Sequence, residues 1–137
     1  MKKLGINTVT VDSIYDITSI KCHMVIYDRL PGITLRDALA SEPLREKRKS
    51  LLLRFASFVT LLHEKGILFR SLHFENILIL PSGDFALIDV VSLRHRLFCS
   101  LSLWQRMRNF RHMCRYREDL ESLNEAGFND FLDGYLE

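Results

Sequence analysis

With 137 residues, 47% of them hydrophobic and 26% charged, the chain fits one ordinary globular domain or part of a larger one. The formal net charge of +2 excludes nothing by itself, but its distribution is uneven. Residues 1–93 hold 12 Lys/Arg against 10 Asp/Glu, residues 94–117 hold seven Arg and no acid, and residues 118–137 hold seven acids and no base.

In chain order, "TVTVDSIYDI" (8–17) and "KCHMVIYDRL" (21–30) are β-rich runs with a short polar break, which predicts a hairpin. Pro31-Gly32 follows as punctuation, and Thr34 is placed to cap a short helix, "LRDALAS". Pro43 opens "LREKRKSLLLRFASFVTLLHEKG", in which Leu52, Phe55, Val59 and Leu62 recur at helical spacing. Gly66 stands where a C-terminal cap belongs. "NILIL" and "FALID" read as two short strands joined by "PSGD", where proline sets φ and glycine permits φ > 0. Helical pattern returns near Leu103, with Trp104, Met107, Phe110 and Cys114 predicted as a core-packing face. A last short helix is predicted from about Asn129 to Leu136.

Cys22, Cys99 and Cys114 lack C-x-x-C spacing, which argues against a disulfide framework and a zinc site and fits a reducing compartment. His23, His95 and His112 have no ligand-like spacing either. No apolar run nears the roughly 18 residues of a spanning helix, and "MKKLGINTVTVD" has no long apolar signal core. A cytoplasmic location is expected.

The segment "ILFRSLHFENILILPSGDFALIDV" (67–90) frames two apolar runs with Arg70, Ser71, His73, Asn76 and Asp89. "FRSLHFEN" resembles the catalytic loop of protein-kinase-like enzymes, H-R-D-x-x-x-x-N, with Arg70 and Asn76 at matching positions. It is closer to the H-x-D-L-H-x-x-N form of bacterial small-molecule kinases, since Leu72 and His73 match as well. "LIDVV" resembles the D-F-G segment, with Asp89 in place of the metal-binding Asp. "VIYDRLPGITLRDAL" is similar to the hinge and following helix of such kinases. The tail, "RMRNFRHMCRYREDLESLNEAGFNDFLDGYLE", resembles the C-terminal part of the bacterial lipopolysaccharide core kinase family, which includes InaA-type and toluene-tolerance proteins.

The resemblance implies an α+β fold: a protein-kinase-like C-lobe (31–137), mainly helical with a small catalytic-site β-hairpin. Before it, residues 1–30 would supply two or three N-lobe strands and the hinge. It implies ATP-dependent phosphotransfer to a sugar hydroxyl in lipopolysaccharide core or cell-envelope biosynthesis, with ATP and Mg2+ as cofactors. Asn76 and Asp89 would hold the metal, and Arg70 would brace the loop. The spacing has a physical logic, because phosphoryl transfer needs a metal clamp and a positioned acceptor more than covalent chemistry. Magnesium takes hard oxygen ligands and keeps waters and phosphates for the rest.

Two departures from the family's pattern qualify that expectation. Ser71 replaces the Asp that orients the acceptor proton, and an unactivated serine is no base at neutral pH. Phe69 likewise replaces the usual His. His73 offers either a substitute base, with its ordinary pKa near 6.5, or a hydrogen-bonding brace within the loop. Upstream of Thr8 nothing resembles a glycine-rich phosphate loop or a strand lysine, so the chain reads as starting in the middle of the N-lobe.

A catalytically impaired pseudokinase, acting as a binding or scaffold module, is therefore the competing reading. The arginines from Arg94 to Arg117 suit a phosphorylated sugar or an anionic inner-membrane surface; the alternative is a solvated helix face paired with the acidic tail. No basic-aromatic platform supports nucleic-acid binding.

Overall fold

The fold was described in a computed structural model covering residues 4–96 and 99–136. Its strands are β1 (Asn7–Thr8), β2 (Val11–Ile17), β3 (Cys22–Tyr27), β4 (Ile33–Thr34), β5 (Ile67–Phe69), β6 (Ile77–Ile79), β7 (Phe85–Leu87) and β8 (Leu93–His95). Its helices are α1 (Leu35–Ser41), α2 (Arg45–Glu64), α3 (Leu103–Met113), α4 (Arg117–Ala126) and α5 (Phe128–Leu136). The class is α+β, as the sequence predicts.

Helix α2 is the axis of the core. Its stripe of Leu52, Phe55, Ala56, Val59 and Leu62 is fully buried, because residues three and four apart share one helical face. Phe55 meets Phe74, Phe85 and Phe131 with ring centroids 5.5, 5.8 and 5.9 Å away. That one side chain thus joins α2 to the loop after β5, to β7 and to α5. Gly66 ends the helix at φ 69°, and a Cβ there would clash with the carbonyl oxygens of Cys99 and Arg96. Only glycine meets both demands.

The predicted "PSGD" hairpin forms, with Ile77 opposite Leu87, Leu78 opposite Ala86 and Ile79 opposite Phe85. It lies in a four-stranded sheet of order β1-β7-β6-β4, in which β1 runs parallel to β7. The predicted β2–β3 hairpin forms as a separate two-stranded sheet. A third pairing, β5 with β8, sets Phe69 opposite Leu93.

Two expectations fail in the C-terminal third. The Trp104–Met107 part of the α3 stripe is not core: Trp104 is 67% and Met107 56% exposed. The inward face is instead Asn109 and Met113, with Phe110 half-buried against the core. The physical reason is polar. Asn109 Nδ2 donates to Phe69 O at 2.6 Å, which also accepts from Leu72 N, while its Oδ1 meets His63 Nε2 at 3.0 Å, a buried group that would otherwise be unsatisfied. The second failed expectation is the pairing of the 94–117 arginines with the acidic tail. The tail acids turn to α1 and α2 instead, through Arg36–Asp119, Arg48–Glu125 and Lys49–Asp130. Of those arginines, Arg117 alone reaches a carboxylate among the described residues, Glu121 within its own helix. No described helix is long and apolar enough to cross a membrane.

His63 is fully buried at the end of α2. Asn109 Oδ1 must accept, so Nε2 carries the hydrogen and Nδ1 accepts from Tyr135 OH at 2.8 Å. Arg106 in turn donates to the Tyr135 oxygen at 3.1 Å. Burial lowers the His63 pKa to about 4, with the Arg106 charge adding to the effect against the Asn109 hydrogen bond.

The unfolded imidazole titrates near 6.5, so the unfolded chain gains a proton between pH 6.5 and 4 that the folded chain refuses. Stability from neutral His63 is full above pH 6.5 and declines as pH falls through that window, by roughly 3 kcal/mol at most. Urea unfolding at pH 7.5 and pH 5 should show the loss, and His63→Gln should flatten it. An unchanged slope in that variant would assign the effect elsewhere.

Candidate functional site

Two antiparallel pairings build the site. The β6–β7 ladder continues one pair past its end, with Ile88 N donating to Asn76 O at 3.0 Å, and Asp89 is the first residue beyond it. The β5–β8 pair then brings the chain after Asp89 back against the chain before Arg70. The loop 70–76 and the segment 89–92 therefore face each other. Ser71 Oγ and Ser92 Oγ meet at 2.7 Å across that gap.

Asn76 is buried, and its amide nitrogen donates both to Ser71 O at 3.1 Å and to His73 Nε2 at 3.0 Å. With both amide hydrogens used, the Asn76 side-chain oxygen has no protein partner among the described residues. Asp89 is exposed and sits at φ 52°, ψ 49°, a left-handed conformation that non-glycine residues adopt rarely. Such strain persists only where surrounding structure holds it, here the β6–β7 and β5–β8 pairings on either side. Its charge reaches His73.

The two remaining loop residues divide. His73 accepts at Nε2 from Asn76, so Nδ1 carries the hydrogen, and that atom is buried with no partner among the described residues. The ring lies edge-on to Tyr116, centroids 4.8 Å apart. Burial pushes the imidazole below its ordinary value, against the opposing pull of the Asp119 carboxylate. The His73 side-chain hydrogen bond within the loop runs to the Asn76 amide and not to backbone. Arg70 is exposed and forms no hydrogen bond or ion pair among the described residues.

Two positioning residues were not singled out from the sequence. Asp119, on α4, is fully buried; it accepts from Phe74 N at 3.0 Å and from Arg36 Nε at 2.8 Å. Arg36 also reaches Glu75 at 2.9 Å. The carboxylate thus ties α1, α4 and the loop together, and it raises the Arg36 pKa. Asn109 holds the loop's other end at Phe69 O. Their signals in the sequence are faint: Asn109 stands between Arg108 and Phe110 in a charged helix, and Asp119 is one acid among seven.

A cleft of about 520 Å³, within the usual range for small-molecule sites, reaches Ile88, the residue before Asp89. Val9, Leu78 and Ile88 supply apolar walls, and Tyr27, Arg29 and Asp37 supply polar edges. Gly32, at φ 148°, is required at its rim because a Cβ would fall 2.5 Å from Ile79 O.

An amide oxygen and a carboxylate, the groups Asn76 and Asp89 carry, are hard donors of the kind that could hold magnesium rather than zinc. No group of three or more His, Cys, Asp or Glu able to hold a metal occurs among the described residues. The chain matches no protein-family model and no curated protein.

Asp119→Ala should cost about 1–3 kcal/mol, because it leaves the buried Phe74 N–H without its partner, while the half-buried Arg36 keeps Glu75 and Glu118. Amide exchange at Phe74 should accelerate beyond the change at Ile77 in the adjoining strand. Equal acceleration at both positions would deny Asp119 a specific hold on the loop.

Proposed function

We propose that the chain is a kinase-type module, the C-lobe of a protein-kinase-like domain with part of its N-lobe. Its reaction would be ATP-dependent phosphotransfer to a sugar hydroxyl in lipopolysaccharide core or cell-envelope biosynthesis. One observation carries the reading. Ser71 O and His73 engage the Asn76 amide nitrogen, which leaves its oxygen without a protein partner among the described residues, and the hairpin ladder that Asn76 closes with Ile88 ends one residue before Asp89.

In this reading Asn76 and Asp89 hold magnesium, which would neutralise charge on the transferred phosphoryl group. The cleft bounded by Tyr27, Leu78 and Ile88 receives the nucleobase. The Ser71 hydroxyl, held by Ser92, borders the place of the acceptor hydroxyl. His73 and Asp119 keep the loop in shape.

A second reading rests on Ser71 itself. Its Oγ is bonded to another hydroxyl, and neither group is a base at neutral pH. A pseudokinase that binds a nucleotide or partner without transferring phosphate fits that feature.

Calorimetry with Mg-ATP and labelled-phosphate transfer to envelope extracts separate the two. As a phosphotransferase, the protein should lose transfer in Asp89→Ala but keep measurable transfer in Ser71→Ala, because a general base contributes only about 10²–10⁴-fold and serine supplies none. Ser71→Asp should not reduce the rate. Absence of any labelled acceptor with the native protein would leave the binding-module reading.

A further inference from the structure

Helix α3 presents one face to solvent that the fold does not use. Trp104, Arg108, Arg111 and Arg115 recur at helical spacing and are all exposed, and the Arg108 guanidinium lies 5.4 Å from the Trp104 ring centroid. With Met107 and His112 they line an open groove. Arg108, Arg111 and Arg115 reach no carboxylate among the described residues, and the acidic tail is committed to α1 and α2. Burial together with the guanidiniums of Arg70, Arg108, Arg115 and Arg111 depresses the His112 pKa, which marks a concentrated positive field.

The flank of the same helix is apolar. A groove between α3 and α5 is lined by Leu103, Met107, Phe110, Phe128, Leu132 and Leu136. Its mouth carries Leu103 at 76% and Leu136 at 79% exposure. Met107 borders both grooves, so the basic stripe and the apolar slot are contiguous.

We infer that this face of α3 docks on an anionic lipid bilayer, with headgroup phosphates at Arg108, Arg111 and Arg115. Leu103, Trp104 and Met107 would enter the headgroup–acyl boundary. Two features favour a bilayer over a soluble phosphate. A soluble anion would use the arginines but leave the indole and the aliphatic slot in water. A basic helix face edged by tryptophan and aliphatic residues matches both layers of an interface. The inference stands apart from the phosphotransfer reading, although Arg70, next to Ser71, contributes to the same positive field.

Trp104 is the only tryptophan in the chain, so its fluorescence reports on this face alone. Vesicles of equimolar phosphatidylcholine and phosphatidylglycerol should shift its emission to the blue, reversibly with salt. Phosphatidylcholine vesicles and inorganic phosphate should not. Since each basic side chain at such a surface is worth about fivefold, the triple variant Arg108→Gln/Arg111→Gln/Arg115→Gln should bind about a hundredfold more weakly. A variant with the same net charge change elsewhere, Lys21→Gln/Arg45→Gln/Lys47→Gln, should stay within about threefold of the native protein. The inference is overturned by no blue shift with anionic vesicles while circular dichroism shows the fold intact. An equal shift with neutral vesicles or with phosphate overturns it too, as does a shift that grows with protein concentration in the absence of lipid.

Discussion

The segment from Phe69 to Asn76 leaves β5 and ends in a short 3-10 turn, so local backbone bonds such as Leu72 N to Phe69 O and Asn76 N to His73 O satisfy only part of it. Phe69, Leu72 and Phe74 are each fully buried, so water does not serve the adjoining peptide groups. Three side chains complete the set. Asn109 donates to Phe69 O, Asn76 donates to Ser71 O, and Asp119 accepts from Phe74 N. The orientation of α3, the placing of α4 and the shape of the candidate site all follow from that requirement.

The same requirement explains why α3 turns a tryptophan outward. Burying Trp104 and Met107 would gain about 1.5–3 kcal/mol for each side chain. It would also take one of two donors from Phe69 O, at about 0.5–1.5 kcal/mol, and leave His63 Nε2 unpaired, at about 1–3 kcal/mol. The two sums are comparable, and the network adds Tyr135 and Arg106 on the far side of His63. The polar arrangement prevails, and an amphipathic basic face is left on the outside.

Charge is handled with similar economy. The fully buried Asp119 faces Arg36, which is shared with Glu75 and Glu118. Lys49 and Arg48 on α2 meet the acids of α4 and α5. These pairs stitch the C-terminal helices to the first two, and they leave Arg108, Arg111 and Arg115 without anionic partners among the described residues. The uneven charge of the sequence thus becomes a spatial division between a neutralised flank and a basic one.

What the sequence alone determined is local. Periodicity placed α2 and its buried stripe, and turn chemistry at Pro81-Ser82-Gly83-Asp84 placed the β6–β7 hairpin. Those features depend on neighbours within one helix face or one turn, where side-chain spacing fixes geometry. The tertiary structure decided the rest: the parallel β1–β7 pairing, the β5–β8 pairing that joins Ser71 to Ser92, and the inward turn of Asn109 and Asp119. Periodicity reads apolar faces, so on α3 it chose Trp104 and Met107. A polar residue is drawn inside by a distant backbone group that lacks a partner, and that partner is known only once the chain has folded around it.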